Sequence, residues 1–155
     1  MTTILALDLG TKMGWALLLQ DGTIMSGTYP LTSTSKDGAG MVFLRFKRWL
    51  DGMRKHLGAD SSICYEAVKR HMGTDAAHMF GGFFATLSTW CEMHKIPYEG
   101  VGVSEVKKHA TGKGNASKDD VITAMRLKKH KPEDDNEADA LAILYLAMDL
   151  AGVTK

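Results

Sequence analysis

Ile4-Leu-Ala-Leu-Asp8-Leu-Gly-Thr-Lys-Met-Gly-Trp15-Ala is the stretch on which the fold turns. It is an apolar run of strand length holding a single carboxylate, Asp8. A lone charge is rarely left beside a core unless it is paired or bound to a metal. Past Gly10 the chain becomes apolar again over residues 15–19, reaches Asp21-Gly22, and continues through residues 23–29. Asp-Gly is a strong short hairpin signal because glycine tolerates positive φ. The first thirty residues therefore read as three strands.

Downstream the period changes. Val42, Phe43, Phe46, Trp49, Leu50 and Met53 recur at helical spacing, predicting an amphipathic helix over 41–57 that Gly58 ends. Residues 62–66 form a short apolar run, expected to be a buried central strand, and the polar Lys69-Arg-His-Met-Gly73 follows. Met79, Phe80, Phe83, Phe84, Leu87 and Cys91 mark the next helix, over 75–94. Two mid-helix glycines, Gly81-Gly82, imply a close backbone approach, either at a dimer interface or against the protein's own sheet. A fifth strand is expected over 97–103, then a short helix capped by Ser104, a loop at 111–117, a helix capped by Ser117 and a last helix starting near Asn136. The order predicts one α/β domain over residues 1–155: a mixed five-stranded sheet flanked by helices.

Composition narrows the class. The 155 residues are 45% apolar and 24% charged, with no 18-residue apolar run and no cationic leader, so a cytoplasmic protein without membrane association is expected. Cys64 and Cys91 lack zinc-ligand spacing and read as buried reduced thiols. The net charge of +1 hides an uneven distribution: Lys107, Lys108, Lys113, Lys118, Arg126, Lys128, Lys129 and Lys131 face only Asp119 and Asp120 between residues 107 and 131. A local cationic face of that kind suits nucleic acid better than the total charge implies.

Asp8 has acidic company elsewhere. Glu66 closes Ile63-Cys-Tyr-Glu66, and Glu133-Asp-Asp-Asn-Glu-Ala-Asp139 opens an apolar helix. Carboxylates at such places suit a divalent-metal site. Two ions about 3.5–4 Å apart can clamp the attacking and leaving oxygens of a phosphodiester, so a nuclease is the leading expectation. Within the box, Asp135 shares a helix face with Asp139 by i,i+4 spacing, while Glu133, Asp134 and Glu137 read as solvated first-turn charges.

Asp8-Leu-Gly-Thr-Lys-Met-Gly-Trp-Ala resembles the first strand pair of the ribonuclease-H-like superfamily, and Glu66 at the end of the fourth strand continues the match. The narrower resemblance is to the RuvC family of Holliday junction resolvases, especially phage-type members. It is carried by Val103-Ser-Glu-Val-Lys-Lys-His-Ala-Thr-Gly-Lys-Gly-Asn-Ala-Ser-Lys-Asp-Asp-Val121 with Asn136-Glu-Ala-Asp-Ala-Leu-Ala142. The resemblance implies a homodimeric endonuclease that resolves four-way DNA junctions in recombination and repair, phage-encoded and acting in a bacterial host's cytoplasm. It further implies that Asp8, Glu66 and Asp139 bind two magnesium ions, with manganese as a substitute. Lys107 and Lys118 match basic positions near the scissile phosphate. Where the family often has a second Asp, this chain has Asn136; Asp135 is favoured as the fourth ligand, with Asn136 as the alternative. Lys69 stands where bacterial members often present an aromatic. The expected DNA contacts are Lys69, Arg70, Lys107, Lys108, Lys113 and Lys118, and Lys118 joins the four carboxylates in the catalytic set.

Other readings compete. A less selective nuclease for flaps, branches or RNA strands would use the same metal chemistry, and a non-catalytic junction binder would keep the fold. Asp8-Leu-Gly-Thr-Lys also resembles the first phosphate loop of the actin and sugar-kinase superfamily, but no second glycine-rich phosphate loop is visible. Gly112-Lys-Gly114 lacks the Gly-Lys-Ser/Thr ending of a P-loop, so no nucleotide cofactor is expected. The histidines form no zinc pattern; His71 and His109 are the two placed near DNA.

Overall fold

The computed structural model describes residues 2–153; residues 1, 154 and 155, the ends of the expected 1–155 domain, lie outside the described residues. Its sheet has five strands in the order β3-β2-β1-β4-β5: β1 Thr3–Asp8, β2 Lys12–Leu18, β3 Ile24–Pro30, β4 Ser61–Ala67 and β5 Tyr98–Gly102. The first three strands are antiparallel neighbours, whereas β4 runs parallel to β1 and β5 parallel to β4. The helices are α1 Met41–Met53, α2 Thr74–His94, α3 Val103–Thr111, α4 Lys118–Leu127 and α5 Asp135–Leu150. This is the mixed, helix-flanked sheet of the ribonuclease-H-like fold, as the sequence predicted.

Alternation along the strands divides the core in two. Ile4, Ala6, Ala16, Leu18 and Cys64 pack under α5 with Leu141 and Leu144. Leu5, Leu7, Leu17, Ile63 and Tyr65 face the other way, toward Phe46 and Leu50 of α1 and Phe83, Leu87 and Trp90 of α2. Asp8 and Glu66 continue the first alternation, so both carboxylates fall on the α5 side. The predicted turn at Asp21-Gly22 is present: Gly22 has φ +85°, and the Thr23 N–H donates to Asp21 Oδ1 at 2.9 Å.

Several expectations change in detail. The first helix ends at Met53 and tightens into a 3₁₀ turn over Arg54–His56, short of Gly58. Ser104 does not cap α3, which begins at Val103; Glu105 accepts from the Gly102 N–H at 3.4 Å instead. Ser117 does cap α4, accepting from the Asp120 N–H at 3.1 Å. Met79 is exposed, and Trp90 completes the buried stripe of α2. Gly82 is explained within the chain, because a Cβ there would run into the Phe43 ring of α1. Its close neighbour within the chain is another helix rather than the sheet. Gly81 faces open space. Cys64 and Cys91 are buried free thiols, each pushed up to about 12 chiefly by burial. No helix among the described residues is long and apolar enough to cross a membrane.

Candidate active site

The parallel ladder between β1 and β4 brings two acids together. Leu7 pairs with Tyr65, so one step further along both strands Asp8 and Glu66 emerge side by side at the same end of the sheet. On the antiparallel side, Asp8 sits opposite Gly14 of β2. That glycine has a specific reason to be there: a Cβ on it would occupy the position of the Asn136 backbone carbonyl and lie 3.3 Å from Ala140 Cβ. The missing side chain admits the first turns of α5, which carry Asp135 and Asp139, against β2.

These acids act on one another electrostatically. Asp8 is held well above the usual carboxylate range, first by burial, then by the charges of Asp139, Glu66 and Asp135. Burial and the Asp139 charge push Glu66 up to about 7, opposed by Lys107. Asp139 is raised to about 6 by burial and then Asp135, against Lys107 and Lys118. Like charges this close disfavour one another's ionised forms. Asp135 behaves differently: Lys118 Nζ lies 3.0 Å from its Oδ2, and this hydrogen bond lowers its pKa while raising that of Lys118.

Lys118 arrives there because of the capping serine. Ser117 starts α4 at the acid-rich end of the sheet, making Lys118 the first helical residue. At the other end of α4, Lys128 lies over the Tyr145 ring at 4.5 Å. The two helices therefore run side by side in the same direction, with both N-terminal ends at the cluster. Their positive dipole ends favour negative charge there.

Asp8, Glu66, Asp135, Asp139, Lys107 and Lys118 are thus brought together. Asn136 meets β2 through its backbone carbonyl. Lys69 and Arg70 are exposed just past the Glu66 end of β4, and Lys108 and Lys113 are exposed on α3 and the loop after it. His71 packs on Phe80 with ring centroids 5.2 Å apart, close to this end. His109 sits elsewhere: it pairs with Asp149 at 3.5 Å, at the opposite end of α5 from Asp139.

Two acids read as solvated are structural. Asp134 caps α5, accepting from the Glu137 N–H at 2.9 Å and from Thr28 Oγ1 at 2.6 Å. Glu137 is only 8% exposed and accepts from Ser26 Oγ at 2.7 Å. The contacts from Ser26 and Thr28 join residues more than a hundred positions apart, so no local pattern announces them. The available signal was the Asp134-x-x-Glu137 spacing of a capped helix start.

Among the described residues, no three Asp, Glu, His or Cys side chains stand close enough to enclose an ion as they are. The donor set nonetheless fits one chemically. Four carboxylates from three elements, of which Asp8, Glu66 and Asp139 are raised by burial and by neighbouring acids while Asp135 is held low by Lys118, offer hard oxygen ligands at a dipole-positive, lysine-flanked edge, and a divalent cation would relieve their repulsion.

Comparison with known proteins follows this geometry. No protein-family model matches the chain, and no curated protein matches it. Solved structures do. Thermus thermophilus RuvC in complex with a Holliday junction substrate aligns with TM-score 0.76 at 21% identity, over 99% of this chain and 98% of that one. Thermus thermophilus RuvC alone aligns with TM-score 0.73 at 19% identity, again over 99% and 98%. The yeast mitochondrial Holliday junction resolvase aligns with TM-score 0.59 at 13% identity, over 90% of this chain and 75% of that one. From end to end, the chain has the fold seen in RuvC.

Proposed function

We propose that this protein is a metal-dependent endonuclease that resolves four-way DNA junctions, working as a homodimer of single nuclease domains over residues 1–155. The observation that carries the reading is the gathering of Asp8, Glu66, Asp135 and Asp139 beside Lys107 and Lys118, in a fold shared over its full length with a junction-bound resolvase.

Asp8, Glu66, Asp139 and Asp135 are the residues that would hold the metal, with Asn136 as the alternative to Asp135. Two magnesium ions, replaceable by manganese, would supply Lewis-acid stabilisation of the attacking and leaving oxygens when bound. In the hydrolysis, a water oxygen forms a bond to phosphorus, the bond to the 3′ oxygen breaks, and that oxygen takes a proton. Lys118 bridges the cluster and solvent, with its side chain 78% exposed. It is placed to leave Asp135 for a phosphate oxygen and neutralise charge that grows in the transition state. The charge of Lys107 also favours the ionised forms of Glu66 and Asp139. Lys69, Arg70, Lys108 and Lys113 extend the cationic surface along which a DNA backbone would lie. A symmetric dimer would set two such sites on opposing strands and yield paired, symmetric nicks.

The test is cleavage of labelled four-way, flap, duplex and RNA–DNA substrates with and without magnesium. Magnesium-dependent, paired nicking of the four-way junction in preference to the others is expected. Ready cutting of flaps with poor cutting of junctions would favour a less selective nuclease, and binding without cleavage would favour a non-catalytic junction binder.

A further inference from the structure

The helix that carries two of the acids is fastened by a polar seam that belongs to none of the expected ligands. Ser26 and Thr28 alternate on β3 and so present their hydroxyls to one face of the sheet. Ser26 Oγ donates to Glu137 Oε1 at 2.7 Å, and Thr28 Oγ1 donates to Asp134 Oδ1 at 2.6 Å. The other Glu137 oxygen accepts from the Glu133 N–H at 2.9 Å, and the Glu137 N–H returns to Asp134 Oδ1 at 2.9 Å. The anchoring residues, 134 and 137, bracket Asp135, and Glu137 stands within one turn of Asp139.

Glu137 is buried, yet its hydrogen-bond partners are a hydroxyl and a backbone N–H, both neutral. A buried carboxylate is costly unless its hydrogen bonds are made, so the two donors define where it can sit. Elsewhere α5 meets the sheet through apolar contacts, which are non-directional; its other polar contacts, Asp135 with Lys118, Tyr145 with Lys128 and His130, and Asp149 with His109, are made to α3, α4 and the segment after α4. Apolar packing alone tolerates small rotations about the helix axis. A slip of one residue turns a helical side chain by about 100°, enough to take Asp139 away from Asp8.

We infer that Ser26, Thr28, Asp134 and Glu137 are positioning residues: they latch the first turn of α5 to β3 and thereby hold Asp135 and Asp139 toward Asp8. This rests on the metal-nuclease reading for its purpose, while the latch itself is a property of the fold. Residues that orient metal ligands through hydrogen bonds typically change metal affinity about 10–100-fold when removed.

The experiment uses the full chain carrying Ser26→Ala, Thr28→Val and both together, with Ser26→Thr and Thr28→Ser as conservative counterparts. Manganese affinity is measured calorimetrically without DNA. Amide hydrogen exchange is compared between residues 138–140, next to the latch, and residues 143–146, deeper in α5. The double variant is expected to bind manganese about 10-fold more weakly and to exchange faster at 138–140 alone, with the conservative pair restoring both. Unchanged exchange at 138–140 would overturn the latch, as would faster exchange along all of α5 with manganese affinity intact, which marks a merely structural seam. Failure of the unmodified chain to bind manganese would overturn the metal reading separately, and local exchange would then decide the latch by itself.

Discussion

The backbone carbonyl of Asn136 occupies the space that a Cβ on Gly14 would need, directly across the ladder from Asp8. Any side chain at position 14 must therefore push the start of α5 outward. Gly14→Ala is expected to cost about 1–3 kcal/mol, the usual range for overpacking, and to lower cleavage further than the lost stability explains. Urea unfolding together with cleavage assays well below the melting point checks both effects. Gly38→Ala, which meets nothing within 4 Å, serves as the control and should do neither.

Neutralising the cluster should separate activity from stability. Asp8→Asn, Glu66→Gln and Asp139→Asn are each expected to abolish cleavage while leaving junction binding largely intact, since little volume is lost. In metal-free buffer each should also raise the melting temperature, because one member of a mutually repelling, partly buried set is gone. Asp135→Asn should be severe and Asn136→Ala mild; the opposite order in cleavage assays would make Asn136 the fourth ligand.

The raised acids set a pH dependence whose direction is fixed. Glu66 and Asp139 ionise at about 7 and about 6 in the folded chain, above the ordinary range near 4 for unfolded carboxylates. In that window the folded state holds protons that the unfolded chain has released. Their contribution to stability is full below the unfolded values and is lost as pH rises through the folded ones. With a chelator present, the melting temperature should be higher near about pH 5 than near about pH 8. Glu66→Gln should flatten that difference, and magnesium should restore stability at the higher pH. At more acidic pH the trend reverses, because Asp51, held low first by the bond it accepts from Trp90, and Asp37, held low first by the bond it accepts from Arg45, must then take up protons and give up those bonds.

DNA affinity is expected to fall steeply with salt, as lysine contacts release counterions. Lys107→Ala, Lys108→Ala and Lys118→Ala should each lower the slope of log affinity against log salt by about one. Lys118→Ala should slow cleavage more than it weakens binding, a difference read from single-turnover rates at saturating protein. Affinity indifferent to salt would remove this face from the DNA surface.

Gly82→Leu is expected to destabilise the single chain, since the new side chain must displace the Phe43 ring. Truncating that ring in a Gly82→Leu, Phe43→Ala double variant should recover part of the loss. Sedimentation of Gly82→Leu under folding conditions checks assembly independently: a changed oligomeric state without lost stability would return this helix face to a dimer interface.

Legibility in the sequence followed the range of each interaction. Asp8 and Glu66 were visible because strand alternation is local and each acid interrupts an apolar run. Asp139 was visible in the acidic box that opens an apolar helix, whereas Lys118 was singled out by the resemblance, with Ser117 marking only where its helix begins. Ser26, Thr28 and Glu137 were not, since a hydroxyl on a half-exposed strand and an acid in a first helical turn look solvated until the tertiary fold sets them face to face. Gly82 was read correctly as a close approach, but its neighbour came from α1, and periodicity within α2 carries no information about which element will cross it.

Since the acids are drawn from β1, β4 and the beginning of α5, the cluster is assembled across nearly the whole span of the described chain. During synthesis, a ribosome-bound chain that has exposed all five strands still lacks Asp135 and Asp139, and α5 must emerge and settle on the sheet before the set is complete. On the nuclease reading proposed above, the chain would stay harmless while nascent, and a truncated product lacking that helix would lack two of the four acids and so be no source of stray breaks.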